Sequence, residues 1–533
     1  MRRLFPLVFG TFLAGAPLFV GAMLFVGAST LSAAISDPVR IDTGLVSGVA
    51  GTTDDVRVYK GIPYAAPPVG ELRWREPRPA SHWEGVHKAD EFSPVCMQFQ
   101  RPGGNGPAAS EDCLYLNVWT AAKSSSDRRP VIVWSYGGGF TGGAGSLAMY
   151  DGDALARKGA VVVTYNYRLG IFGFLAHPEL TKESEHNASG NYAMMDLATV
   201  LRWVQKNIAQ FGGDPKRVTI DGESAGSMLV SAMVGSPQGK GLFQRAIGQS
   251  GAWMGVNIGK MTTHAQAEEN GEKMVKALGA SSIAELRAKP ADELLKGARG
   301  QFGIIVDGWM VPEDLSIIYQ NHKQNDVDVL VGSNHDEGTF FSRPGAKGNP
   351  EQFTQNAKRR FGDMADAYLK LYPASSDSEA SASQLASFRD EFGWAMREWA
   401  QLQSERGKAK AYLYFMTHVP PSAPGQPSRG ATHTADLQYM FDNQPPNVTW
   451  TDVDKKLADT MSSYWVNFAA NGNPNGKGLP EWPAYTAKKP KSIVLGDTVM
   501  VGPAIDPAML AFYDSYFAKV NSGVNPPAST GSR

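Results

Sequence analysis

Cysteine is nearly missing: the 533-residue chain holds two, Cys96 and Cys113. So few exclude a disulfide framework and a cysteine metal site, and leave room for a single bridge. A surplus of charge is missing too, because 51 basic residues face 52 acidic ones, which removes the electrostatic case for nucleic acid or polyanion binding. No internal repeat is found, and no linker-like composition break interrupts residues 40 to 515. A length that ordinarily suggests two or three domains therefore reads as one large domain with insertions, residues 35–520, followed by a disordered tail, 521–533. Hydrophobic residues make up 42%, enough for a large packed core.

The N-terminus does contain a long apolar run. Arg2-Arg3 precede an uncharged stretch from Leu4 to about Val26, and small residues Ser32-Ala33-Ala34 follow. Residues 1–34 have the form of a signal peptide, which implies a secreted or periplasmic protein. The run exceeds the usual signal core and is long enough to span a bilayer, so a retained anchor is the alternative. Arg2-Arg3-Leu4-Phe5 carries a faint trace of a twin-arginine signal.

Chemistry is concentrated around Gly222-Glu223-Ser224-Ala225-Gly226, set between the apolar Val218-Thr219-Ile220 and Met228-Leu229-Val230. A strand entering a helix through a serine-bearing turn is the context of a nucleophile elbow, and the glycines leave space for a sharp, strained backbone. Oxyanion donors are sought where a core strand meets bare amides, and Val131-Ile132-Val133-Trp134 runs into Tyr136-Gly137-Gly138-Gly139-Phe140. Gly138, Gly139 and Ala225 are the candidates. An acid is expected past Val327-Asp328-Val329-Leu330-Val331, where Asp336 and Glu337 both qualify and composition does not choose between them. Of nine histidines, His418 and His433 follow those acids, as the order serine, acid, histidine requires. His418 ends the strand-like Ala411-Tyr412-Leu413-Tyr414-Phe415, whereas His433 follows the loop Pro420 to Gly430, a more suitable place for a base.

From about Val39 to about Tyr516 the chain resembles the type B carboxylesterase and cholinesterase family of α/β-hydrolases. The resemblance rests on Gly61-Ile62-Pro63-Tyr64-Ala65, Pro67-Pro68-Val69-Gly70 and Arg73-Trp74; on Ser110-Glu111-Asp112-Cys113-Leu114-Tyr115-Leu116-Asn117-Val118-Trp119; and on Asn166-Tyr167-Arg168, Phe211-Gly212-Gly213-Asp214-Pro215, the elbow, Gln249-Ser250-Gly251 and Asp336-Glu337-Gly338. It implies a mostly parallel central sheet with helices on both faces and cap insertions. It also implies a serine carboxylesterase of small-molecule esters, with Ser224 as nucleophile, Glu337 as acid, His433 as base, and the oxyanion held by Gly138, Gly139 and Ala225. A Cys96–Cys113 disulfide, buried ion pairs Arg73–Glu111 and Arg168–Asp196, and no metal or organic cofactor belong to the same expectation. Glu223 either adds negative potential near a cationic transition state or packs under the elbow.

Two departures bear on substrate and packing. Only Met97 to Asp112 separate the cysteines, with no tryptophan among them, so the cation–π platform that cholinesterases place in a longer loop has no counterpart there. Phe340 and Phe341 match aromatic positions of the cholinesterase gorge. Asp221 stands where relatives often carry an apolar residue. Trp253 and Gly303-Ile304-Ile305-Val306 are candidates for the acyl pocket. Amide, carbamate or thioester hydrolysis would use the same machinery, and a noncatalytic recognition protein is the rival from another class. Expected strands are Val131–Ser135, Val161–Tyr165, Val218–Ile220, Ala246–Gln249, Val327–Val331 and Ala411–Phe415, with helices Tyr192–Gln210, Thr263–Leu278 and Ile283–Leu295. A histidine base would make activity fall below a pH of roughly 6–7.

Overall fold

The computed structural model describes residues 35–100, 106–253, 261–343, 345, 347–503 and 505–521. The signal-peptide reading of residues 1–34 and all but the first residue of the expected tail lie outside these.

Eleven strands form the main sheet: β1 Val49–Ala50, β2 Arg57–Pro63, β3 Tyr115–Thr120, β4 Arg129–Ser135, β5 Val161–Tyr165, β6 Gly213–Glu223, β7 Arg245–Gln249, β8 Asp328–Asn334, β9 Ala411–Met416, β10 Ser492–Leu495 and β11 Val499–Gly502. Their spatial order is β11-β10-β9-β8-β7-β6-β4-β5-β3-β2-β1. From β10 to β5 every neighbouring pair is parallel, while β11 and the β3-β2-β1 side are antiparallel. The parallel strands are the near-continuous apolar runs, because both of their faces are covered. Val131, Val133, Val161, Val163, Leu330 and Val331 have no exposed surface.

Helices α1 Tyr192–Asn207, α2 Ala225–Gly235, α3 Asp377–Ser404 and α4 Asp452–Asn471 supply the cover. Gly248 of β7 faces Trp399 of α3 and Ser227 of α2, and a Cβ there would lie 2.3 Å from the indole. The next residue, Gln249, points the opposite way. It shares a row with Gly332 and Tyr414, and Tyr414 packs on Trp465 of α4.

Some boundaries move from the sequence expectation. β6 begins at Gly213, before Pro215, because a register shift between Gly213 and Val218 accommodates the irregular segment. The helix expected over Ile283–Leu295 divides into Ile283–Ala288 and Ala291–Gly297, since Pro290 cannot continue a helix from the preceding turn. The Tyr192–Gln210 helix tightens into a 3₁₀ turn from Ile208. Among the described residues no helix is long and apolar enough to cross a membrane.

Cys96 and Cys113 are joined by a disulfide. Arg73 binds Glu111 through Nε and Nη2, both at 2.6 Å. Arg168 donates from Nε and Nη2 to Asp196 of α1, at 3.0 Å and 2.7 Å, and its amide donates to the same carboxylate at 2.9 Å. This second pair is almost wholly out of water, so removing one partner strands the other charge. Arg168→Met is expected to lower unfolding free energy by about 3–5 kcal/mol, read from urea denaturation midpoints; a loss below about 1 kcal/mol, the surface-pair range, would show that the pair is not desolvated.

Candidate active site

β6 ends at Glu223 and α2 starts at Ala225, so the whole reversal falls on Ser224. Its backbone adopts φ 53° and ψ −122°, a strained region for a residue with a side chain. The surroundings leave no alternative route. A Cβ on Gly226 would sit 2.0 Å from Ser135 O, one on Gly222 2.6 Å from the Gly226 carbonyl, and one on Gly251 2.3 Å from Ser224 O. Ser224 N donates to Gln249 O at 2.9 Å. The side chain itself is half-buried, between the fully covered Glu223 and Ala225.

Gly137 to Gly139 lie over this elbow. A Cβ on Gly137 would meet Glu223 Oε2 at 2.4 Å and Ser224 Cβ at 3.0 Å, and Gly138 and Gly139 have φ of 113° and 61°. Both of the latter are exposed. Among the described residues, the Gly138, Gly139 and Ala225 amides donate to no protein acceptor. Three unpaired N–H groups beside a serine are a ready anion cradle. Phe140, next along, stacks with Trp253 and packs on Phe174. Gly303 lies against the rings of Phe140 and Trp253, an apolar wall beside the cradle that includes two of the pocket residues expected from sequence.

The two candidate acids separate. Asp336 Oδ2 accepts from Ala431 N at 2.8 Å, and Oδ1 lies 2.9 Å from His335 Nδ1; this carboxylate ties loops together. Glu337 is fully buried. Its Oε2 lies 2.5 Å from His433 Nδ1, and its Oε1 accepts from Ser250 Oγ at 2.6 Å and Asn334 N at 2.8 Å. The two candidate bases separate as well. His418 is held between Asp497 at 2.6 Å and Asp454 at 2.9 Å. His433 Nε2 has no hydrogen-bond partner among the described residues, and lies 3.2 Å from Glu223 Oε1. Rings of Phe340, Phe341 and Phe392 surround the imidazole at 5.1–5.4 Å.

Three supporting residues were not singled out as site residues from sequence. Ser250 and Asn334 hold Glu337, and Asn334 Nδ2 also reaches Thr432 O at 2.9 Å and His433 O at 3.0 Å. Asp436 accepts from Gln249 Nε2 at 2.8 Å, Tyr414 OH at 2.7 Å and Asn334 Nδ2 at 3.2 Å. Ser250 and Asn334 are polar residues at strand ends and Asp436 precedes a short helix, signals too common to select a site residue.

Acid density governs the electrostatics here. Burial pushes the Glu223 carboxyl up to about 8; His433 opposes the rise, and Asp436 and Glu337 add to it. Burial acts downward on His433, but Glu223 and then Glu337 outweigh it and pull the imidazole up to about 9. The surrounding carboxylates thus hold the imidazole above its ordinary range. Asp221 differs from both: it has no exposed surface and neither oxygen has a partner among the described residues. Burial, reinforced by Asp436, raises its carboxyl well above the usual range. No His, Cys, Asp and Glu cluster suited to a metal ion occurs among the described residues.

A mixed sheet with a serine elbow between its central strands and the following helix defines the α/β-hydrolase fold. The carboxylesterase family model matches residues 36–506, and the chain belongs to that family. It is 37% identical to a fumonisin B1 esterase of Sphingopyxis macrogoltabida, over 86% of this chain and 87% of that protein. It is 34% identical to the para-nitrobenzyl esterase of Bacillus subtilis (strain 168), over 85% and 94%. A solved PNB esterase structure superposes with a TM-score of 0.78 at 33% identity, covering 89% of this chain and 99% of that one. The protein is a carboxylic ester hydrolase.

Asp221 gives a stability test. Its folded-state pKa is raised, so its contribution to stability is present below the unfolded carboxyl range of about 4 and declines as pH rises toward the folded value. Asp221→Asn is expected to be the more stable protein above neutrality, with a gap in melting temperature that widens from about pH 5, just above that range, toward alkaline pH; parallel melting curves across this range would contradict a buried, unpaired carboxyl.

Proposed function

We propose that the protein hydrolyses small-molecule carboxylic esters through an acyl-serine intermediate, with Ser224 as nucleophile, His433 as base, Glu337 as its orienting acid, and Gly138, Gly139 and Ala225 as the oxyanion donors. The observation that carries this reading is the set of three unpaired amides beside a strained, half-buried serine, with a glutamate-held imidazole at the neighbouring Glu223.

His433 Nε2 takes the Ser224 hydroxyl proton as Oγ bonds to the ester carbonyl carbon, and the carbonyl electron pair moves onto oxygen, where the three amides receive it. The C–O bond to the alcohol then breaks, and His433 returns the proton to the leaving oxygen. Water, deprotonated by the same nitrogen, attacks the acyl-serine; the acid departs and Oγ regains its proton. Glu337 keeps the Nδ1 hydrogen in place and, with Glu223, stabilises the imidazolium that exists midway. The same reading places residues 1–34 as a signal peptide and residues 35–520 as the catalytic unit. It also places the protein outside the cytoplasm, where an oxidising compartment allows the Cys96–Cys113 bridge.

Ser224→Ala should lower kcat for an activated aryl ester by about 10⁴-fold or more with an unchanged melting temperature; turnover near the wild-type rate in a folded variant would reject the assignment. A second expectation concerns pH. Only neutral His433 accepts a proton, so its raised pKa moves the acid limb of kcat/KM above the ordinary imidazole range. Glu223→Gln removes the carboxylate that does most to hold it up, and the limb should fall by about one pH unit. A limb that stays put would show that Glu223 does not act on the base.

A further inference from the structure

The loops that bear Glu337 and His433 also wall a groove of about 470 Å3, and this groove is not part of the site described above. Arg343, Lys347 and Arg429 line it, together with Thr339, Gln384 and Asp336. All three cations are exposed, and none forms an ion pair among the described residues. Asp336, the one acid in the lining, is already engaged by His335 and the Ala431 amide. Arg389 adds positive potential at that carboxylate. The groove therefore carries a net positive charge, although the whole chain is close to neutral.

Its position is constrained by the chain. Thr339 lies within the short helix Gly338–Phe341 and Arg343 two residues beyond it, and that helix's Phe340 and Phe341 rings pack on His433. Arg429 Nη2 donates to Thr339 O at 2.5 Å and Ser342 O at 2.9 Å, which leaves Nε and Nη1 without protein acceptors among the described residues. Gly430, in the lining, is three residues from His433, so their Cα atoms are separated by at most about 11 Å. The cationic groove and the base thus share the loop that runs from Pro427 through Gly430 to His433.

We propose that Arg343, Lys347 and Arg429 form an anion subsite that selects esters bearing a free carboxylate several bonds from the reacting carbonyl. This rests on the esterase reading and adds a substrate class to it. Guanidinium groups recognise carboxylates through paired N–H donors, and an ammonium adds a point charge. Because the groups are exposed, the preference is moderate and salt-sensitive.

The test compares mono-4-nitrophenyl esters of dicarboxylic acids, from succinate to suberate, with the same compounds carrying a methyl-capped carboxylate, so that each pair differs only in charge. For at least one chain length the wild type should favour the anionic ester in kcat/KM by about five- to tenfold at low salt. The preference should decline in about 0.5 M NaCl, where the screening length is only a few ångströms. Arg343→Gln/Lys347→Gln should bring the ratio toward unity while the capped esters stay within about twofold of wild type. A preference that survives the double substitution, or its absence at every chain length, overturns the subsite and leaves the esterase reading standing. Failure of the wild type to release nitrophenolate from any of these esters would overturn both.

Discussion

One backbone reversal organises this molecule. Ser224 occupies a conformation that a serine leaves unless the surroundings forbid every other, and here they do: the Gly226 backbone abuts Ser135 O, Gly251 abuts Ser224 O, and Gly222 abuts the first turn of α2. The same contacts do more than expose a hydroxyl. Holding Ser135 O against Gly226 fixes the end of β4, and the chain leaving β4 is the Gly137–Gly139 turn that lies over Glu223 and Ser224. The strained serine and the bare amides are thus two consequences of one close approach. Their relative position is set by backbone sterics, which do not depend on pH or salt.

Beneath the elbow the ruling question is how buried carboxylates are accommodated. Glu223, Gln249, Gly332 and Tyr414 are register partners across four strands and share a face. Gln249 and Tyr414 converge on Asp436, where Asn334 is the third donor. Three donors and a charge are a stable arrangement inside a protein, since each hydrogen bond to an ion is worth more than one between neutral groups. Glu337 is satisfied in the same way. Asp221, on the same face two residues before Glu223, has no such set of donors, so for it desolvation outweighs the one opposing influence, the Gly222 amide. Glu223 stands between the two cases: among the described residues its one charged partner is the His433 imidazole, and the pair therefore titrates as a unit.

Much of this was legible in residue order, but unevenly. Strand-turn-helix context around Ser224 and the glycine triplet after Trp134 are local patterns, and the fold keeps both. Parallel strands announced themselves as apolar runs because both of their faces are buried. The choice of Glu337 over Asp336 was beyond composition and periodicity and rests on a family resemblance, while loop position only favours His433 over His418, because what separates these neighbours is which side chain meets Ser250, Asp497 or Ala431 across many tens of residues. Ser250, Asn334 and Asp436 went unremarked as site residues for that reason. The upward pull on the His433 imidazole was not legible, because burial and three nearby carboxylates exist only in the folded chain. Pro290 was visible in the sequence all along, and should have divided the helix it interrupts.

The short disulfide loop shows how one departure from the cholinesterase pattern acquires a second use. Without a tryptophan it offers no platform for a quaternary ammonium. It carries Gln98, however, whose side chain accepts from Gly143 N at 2.9 Å and donates to Gly143 O at 2.8 Å. Gly142, the residue before, is the neighbour that a Cβ on Gly138 would strike at 2.2 Å. The Gln98 amide thus clamps the far side of the turn that bears the unpaired amides, and the Cys96–Cys113 bridge limits how far that clamp moves. A cradle for developing charge is effective when its dipoles are fixed before the charge arrives. In this chain the disulfide loop contributes to that rigidity through Gln98.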